Sequence, residues 1–201
     1  FLDLTDDEQR IAFREEGYRL QLAEQREQLD EFRTHFDVWT SERDLHASAK
    51  VEHGIDVLRS RGSVFESDGA LWMRTTDFGD DKDRVLVRRD GSFTYFASDT
   101  AYYVDKRERG FDVCIYLLGA DHHGYVGRLK AIAACAGDDP EKNIEVPIGQ
   151  MVRIVRAGRE LRLSKRAATM LTLAEVVDAA GGDPLRAEDD RRVLIEALRD
   201  G

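Results

Sequence analysis

A chain of 201 residues with 42% hydrophobic side chains, three prolines, 16 glycines and no low-complexity run can bury a core, which excludes a fibrous or wholly disordered protein. The longest apolar run, Val113-Cys-Ile-Tyr-Leu-Leu118, is far too short to cross a bilayer and reads as a buried strand. A formal net charge of −10 excludes a uniformly basic surface that coats nucleic acid, yet the charge is uneven: residues 1–31 hold ten acidic and four basic side chains, whereas residues 153–166 hold Arg153, Arg156, Arg159, Arg162, Lys165 and Arg166 against Glu160 alone.

Thr5-Asp-Asp-Glu8 is a capping-box start, and Ile11, Tyr18, Leu22 and Leu29 predict one long amphipathic helix to about Phe32. Alternation in Phe36-Asp-Val-Trp39 predicts a strand. A second helix is expected from Ser41 to Arg59, with Leu45, Ala49 and Leu58 inward and Gly62 as its stop. Asp68-Gly69 and Asp90-Gly91 each lie between apolar runs, Val64–Met73 and Arg84–Tyr95, and supply the positive φ of tight hairpins. Residues 63–96 should therefore form a small antiparallel patch, with Asp77–Asp83 as an acidic loop that lacks the ligand spacing of a calcium site.

After Tyr95 the pattern changes to strand, helix, strand, helix. Ser98 can cap a helix to about Arg109, Val113–Leu118 is a strand, Tyr125–Ala136 a helix ended by Gly137, and Ile144–Ile148 another strand. A hairpin at Val152–Leu163 turning on Ala157-Gly158, a helix at Thr172–Ala180 and an amphipathic stretch at Val193–Leu198 complete the reading. The fold class expected is α/β, a parallel sheet with helices on its faces preceded by an α+β region with antiparallel hairpins. Cys114 and Cys135 lie in apolar stretches, as buried thiols of a reducing, cytoplasmic protein do. Phe1-Leu-Asp-Leu-Thr5 has no signal-peptide pattern, and the missing initiator methionine suggests a fragment.

Ligands of open parallel sheets bind beyond the carboxyl ends of the strands. Three groups fall there: Tyr95 with Asp99, Gly119-Ala-Asp-His-His-Gly124, and Gln150-Met-Val152 leading into the basic hairpin. Tyr95 at a strand end and Asp99 in the first turn of a helix would suit a guanidinium, through paired hydrogen bonds and ring stacking, although such a pair also serves structure. Asp121, His122 and His123 fit either a divalent metal of a phosphoesterase or a metal-independent nucleotide site. A metal centre of that kind needs further strand-end aspartates, and only Asp99 and Gln150 follow the other strands.

Leu161-Arg-Leu-Ser-Lys-Arg-Ala167 has the form of the KMSKS loop of class I aminoacyl-tRNA synthetases, with Arg162 in place of the first lysine. A mobile loop with a lysine at its tip can close over a triphosphate as charge moves onto pyrophosphate. Taken with Glu31–Glu42, Asp68–Leu86, Asp90–Asp99, Gly119–Tyr125 and Gln150–Val152, all in that family's order, the chain resembles bacterial arginyl-tRNA synthetase over about residues 8–180.

The resemblance implies the second half of a Rossmann-like nucleotide-binding domain. Residues 1–90 would be an α+β insertion, 91–167 the catalytic core with its KMSKS-like loop, and 168–201 the start of a helical connecting region. It implies an ATP-dependent arginine–tRNA ligase, a monomer with arginine and tRNA(Arg) as partners, using ATP with Mg2+ as substrate and no tightly bound cofactor. Tyr95, Asp99 and Asp121 would bind arginine. Gly119, His122, Met151, Val152, Ser164 and Lys165 would bind ATP, and Lys165, Ser164 and Arg166 would serve catalysis. The family's HIGH signature is absent, Ala168 replaces a glycine after Lys-Arg-Ala, and the tail from about Leu185 does not resemble the family. A fragment inactive alone is therefore expected, with a metal-dependent phosphoesterase and a non-catalytic paralogue that binds tRNA or a partner as the alternatives.

Overall fold

The structure is a computed structural model. It describes residues 4–150, 155, 156, 159, 160, 172 and 175. These fall into two units, residues 39–152 and residues 1–38 with 153–201, taken in turn below.

In residues 39–152 the order is α2 (Glu42–Ala47), α3 (Lys50–Ser60), β1 (Val64–Ser67), β2 (Ala70–Met73), β3 (Arg84–Val87), α4 (Tyr95–Glu108), β4 (Cys114–Ile115), β5 (Leu118–Gly119), α5 (Val126–Cys135), β6 (Ile144–Glu145) and β7 (Ile148–Gly149). The helix predicted from Ser41 to Arg59 is broken at Ser48-Ala49, where Ala49 takes φ 56° and is exposed rather than inward. A straight helix would place Leu45 roughly 100° away from the stripe of Val51, Ile55 and Leu58. The break turns all four into one core. The strand predicted at Phe36–Trp39 is not formed.

β1, β2 and β3 form an antiparallel sheet in that order, with Val64 opposite Met73 and Ser67 opposite Ala70. Its two-residue turn puts Asp68 at φ 53° and Gly69 at φ 74°, the backbone the Asp-Gly signal predicts. The second hairpin is less regular: beyond the turn with Gly91 at φ 80°, only the bridge Val87–Phe93 pairs with β3. Helix α4 starts early. Thr94, not Ser98, is the N-cap, accepting from the Ala97 amide at 3.3 Å while donating to the Val85 carbonyl at 2.7 Å. Tyr95 is thus the first residue of the helix rather than a strand end.

The strand predicted over Val113–Leu118 is divided into β4 and β5, which pair in parallel with β6 and β7. Between them Tyr116 still donates to Glu145 and Leu118 to Pro147, so one ladder continues past a proline that has no amide hydrogen to give. Helix α5 links β5 to β6, making a strand–helix–strand crossover. That strand is only half-buried: Cys114 belongs to the core, but Ile115 and Leu117 on the alternate face are 61% and 76% exposed. Cys114 and Cys135 are free, buried thiols, and burial pushes the Cys135 thiol up to about 12.

The other unit holds α1 (Asp6–Glu31) and the strand pair β8 (Val155–Arg156) and β9 (Arg159–Glu160). The Thr5–Glu8 capping box forms as predicted. Apolar residues do not gather on one face of α1, because Phe13 and Leu20 lie opposite the stripe of Ile11 and Tyr18, and none of the helix's residues is buried. β8 and β9 are antiparallel with Arg156 opposite Arg159, which fits the hairpin expected to turn at Ala157-Gly158. Of the helix expected from Thr172, Thr172 and Glu175 make reciprocal capping-box hydrogen bonds. The loop with Ser164, Lys165 and Arg166, the residues Met151 and Val152, and the stretch Val193–Leu198 lie outside the described residues.

Candidate functional site: a carboxylate-lined cleft beside the strand ends

Residues Tyr95, Ser98, Asp99 and Tyr102 recur at the three- and four-residue spacing that places side chains on one face of a helix. Together with Thr40 before α2 and Glu42 and Leu45 on it, they line a cleft of about 230 Å3. Asp99 therefore stands in the second turn of α4, one turn beyond Tyr95, so the helix dipole that favours a first-turn carboxylate contributes little. Its setting is made by tertiary contacts instead. Burial pushes the Asp99 carboxyl above its ordinary value, a hydrogen bond from the Tyr125 hydroxyl pulls it back, and the nearby Glu42 carboxylate pushes it up again. Two carboxylates share the cleft at a cost that a bound cation would relieve.

The cleft's wall is held from behind. Ser98 is buried, and its hydroxyl lies 3.2 Å from His46 Nε2, whose ring packs against Phe93 with centroids 5.7 Å apart. Tyr95, by contrast, is 80% exposed at the mouth, available to stack on a planar group. Glu42 had no role assigned from sequence, although it stands inside the Glu31–Glu42 segment. Its signal was position: a carboxylate in the first turn of a helix directly after Ser41, facing α4.

At the strand ends Gly119 pairs with Gly149. A Cβ on Gly119 would meet Asp121 Oδ1 at 2.8 Å, so glycine there lets the carboxylate fold back over the chain. Ala120–Tyr125 is a 3-10 turn that carries Asp121 and His122 with side chains 76% and 62% exposed and 3.6 Å apart. His123 is exposed on the same turn. Among the described residues no three histidine, cysteine, aspartate or glutamate side chains are gathered to hold a metal ion. No helix of the described residues is long and apolar enough to cross a membrane.

Parallel strand pairs with a crossover helix, beside antiparallel hairpin strands, define an α/β domain. Residues 5–197 match the family described as "tRNA synthetases class I (R), catalytic domain", and the chain belongs to that family. It is 57% identical over 197 residues to an arginine–tRNA ligase of Frankia alni, covering 98% of this chain and 36% of that protein. An arginine–tRNA ligase of Renibacterium salmoninarum is 56% identical over 184 residues, 92% of this chain and 33% of that protein. Among solved structures, one from Campylobacter jejuni that carries the name arginyl-tRNA synthetase is 33% identical with a TM-score of 0.70, covering 78% of this chain and 33% of that one. The chain thus spans about a third of the length of the relatives it matches. The phosphoesterase alternative gains nothing from these matches.

Proposed function

We propose that this chain carries the arginine-recognising part of an arginine–tRNA ligase. The observation that supports it most is the cleft itself: Glu42 and Asp99 supply two carboxylates to one guanidinium, and Tyr95 and Tyr102 supply ring faces on the same wall. Asp121 is the third group assigned to arginine, at its amino-acid end, and Gly119 and His122 border ATP, the glycine letting backbone approach the nucleotide. The reaction joins an arginine carboxylate oxygen to the α-phosphorus of ATP while the bond to pyrophosphate breaks; the arginyl group then passes to the terminal adenosine of tRNA(Arg). Met151 and Val152 against adenine, and Lys165 with Ser164 and Arg166 on the departing phosphates, are roles read from sequence alone. Mg2+ enters with ATP as part of the substrate, and no tightly bound cofactor is invoked.

The same reading makes residues 91–167 half of a Rossmann-like core after an α+β insertion at 1–90, with a helical connection from 168, in a monomeric cytoplasmic enzyme. The test is pyrophosphate exchange into ATP by the protein that contains this chain. Exchange should require arginine and fail with lysine, whose ammonium lacks the planar fork that two carboxylates and a ring can hold. Exchange that proceeds equally with lysine, or without amino acid, sinks the proposal.

A further inference from the structure

Tyr125 closes the 3-10 turn that bears Asp121 and His122, and its hydroxyl donates to Asp99 Oδ2 on α4, 26 residues earlier. The ring is held in turn: the Arg128 guanidinium lies over it at 5.3 Å from the centroid. Arg128 Nε is buried without a hydrogen-bond partner among the described residues, and the Tyr125 ring is a contact this guanidinium makes. The hydroxyl is thus a direct link between the strand-end turn and the carboxylate wall of the cleft.

We infer that Tyr125 is a positioning residue for arginine recognition, fixing the Asp99 carboxylate so that the cleft selects a guanidinium over a neutral group of the same shape. This rests on reading the cleft as the arginine site. A donor to one carboxylate oxygen leaves the other oxygen and the remaining lone pairs for the ligand, and restrains the rotation that would otherwise spread Asp99 over several orientations. The charge environment agrees. Burial and Glu42 both disfavour the ionised form of Asp99, and the Tyr125 hydrogen bond is the opposing influence. The other titratable groups around the pair are Tyr95 and Tyr102 on α4, Tyr116 beside β4, and His46, which reaches Ser98; Arg84 and Arg128 act on Tyr125. A packing role alone would need the ring and not its oxygen.

Tyr125→Phe keeps the ring under Arg128 and removes only the hydroxyl. The full chain is labelled with 13C at aspartate carboxyls, and Asp99, assigned by its loss in Asp99→Asn, is titrated by NMR without ligand. Its midpoint should move upward in Tyr125→Phe, because the influence that lowers it is gone. Arginine affinity should fall about tenfold, the scale of one hydrogen bond to a charged group, and its acid limb should move to higher pH. Affinity for citrulline, the neutral isostere, should fall less, so the preference for arginine shrinks. An unmoved Asp99 midpoint, or an unchanged preference between arginine and citrulline, overturns the role of Tyr125. Failure of the reading beneath it looks different: the unaltered chain would not bind arginine, or Asp99→Asn would bind it equally well.

Discussion

Asp99 sits on a 14-residue helix in which Phe96, Ala97, Ser98, Thr100, Ala101 and Tyr103 are buried, whereas Asp121 and His122 sit on a six-residue 3-10 turn with no buried residue. The first is a group whose position is fixed by packing before any ligand arrives. The second presents its side chains to solvent. Preorganisation saves ordering cost on binding, but it obliges the folded chain to keep a carboxylate partly out of water. An exposed turn carries no such penalty and can adjust to what it meets. On the proposed function, the packed cleft is the part suited to discriminate and the exposed turn the part suited to follow.

The largest expected effect is at Asp99. On the proposed reading, Asp99→Asn should weaken arginine binding by about thirtyfold or more, measured by calorimetry, since it removes the more buried of the two carboxylates that face the guanidinium. The same change should raise folding stability at neutral pH by about 1 kcal/mol in a denaturant titration. The folded carboxyl titrates above its unfolded value, so the folded state binds protons more readily and its stability declines as pH rises through the folded pKa. Asparagine removes that decline. A loss of both affinity and stability would mean that Asp99 is a structural residue.

Next in size is the contact that holds the helix in place. A Cβ on Gly54 of α3 would meet Ala101 Cα of α4 at 2.9 Å and its nitrogen at 3.3 Å, a backbone that has no side chain to swing aside. Gly54→Ala should cost about 1–3 kcal/mol in denaturant unfolding. If instead it stabilises the chain, as alanine does in a free helix, then α3 does not clamp α4 and the packed wall of the cleft is looser than described.

Local chemistry was readable where one short segment decides the outcome. The Thr5–Glu8 capping box, the Asp68-Gly69 turn and the strand–helix–strand order after Gly110 all depend on neighbours in sequence, and all formed. Tyr95 and Asp99, singled out by residue type as a ring and a carboxylate that suit a guanidinium, do line one cleft together, and their use there is part of the proposal. Their frame was misjudged. Thr94 takes the cap by bonding the Val85 carbonyl as well as Ala97, a contact across nine residues that a local pattern does not reveal. Likewise the break at Ala49 follows from the core's need for Leu45, and Glu42 and Tyr125 acquire their places only when α2 and the strand-end turn are brought to α4. Distance in sequence separates what was legible from what was not.

A smaller effect, and one with a pH signature, lies at the far end of α4. Asp138 accepts from the Tyr103 hydroxyl at 2.7 Å and from Arg107 Nε at 2.8 Å. Burial works against its ionised form, but the hydrogen bonds from Arg107 and Tyr103 outweigh it, and the carboxyl titrates below the ordinary range. Its contribution is therefore present above the unfolded value and lost as pH falls through the folded one. Asp138→Asn should cost about 1–2 kcal/mol at neutral pH and flatten the acid limb of stability below about pH 4. An acid limb as steep as before would place the responsible carboxylate elsewhere, the closely held Asp80–Arg84 pair being the next to test.

The smallest effect should come from the exposed turn, and it is the sharpest check on the contrast between the two walls. His122 is largely in solvent and faces Asp121, itself exposed, at 3.6 Å. An exposed pair of this kind contributes little, so His122→Ala should change folding stability by less than about 0.5 kcal/mol. Arginine affinity without nucleotide should stay as it is, because the cleft's lining is untouched. The change should fall on the KM for ATP in pyrophosphate exchange. If His122→Ala instead destabilised the chain by more than about 1 kcal/mol, the turn would be carrying buried interactions like those of α4. The proposed division between a packed recognition wall and an adaptable nucleotide edge would then fail at its weaker side.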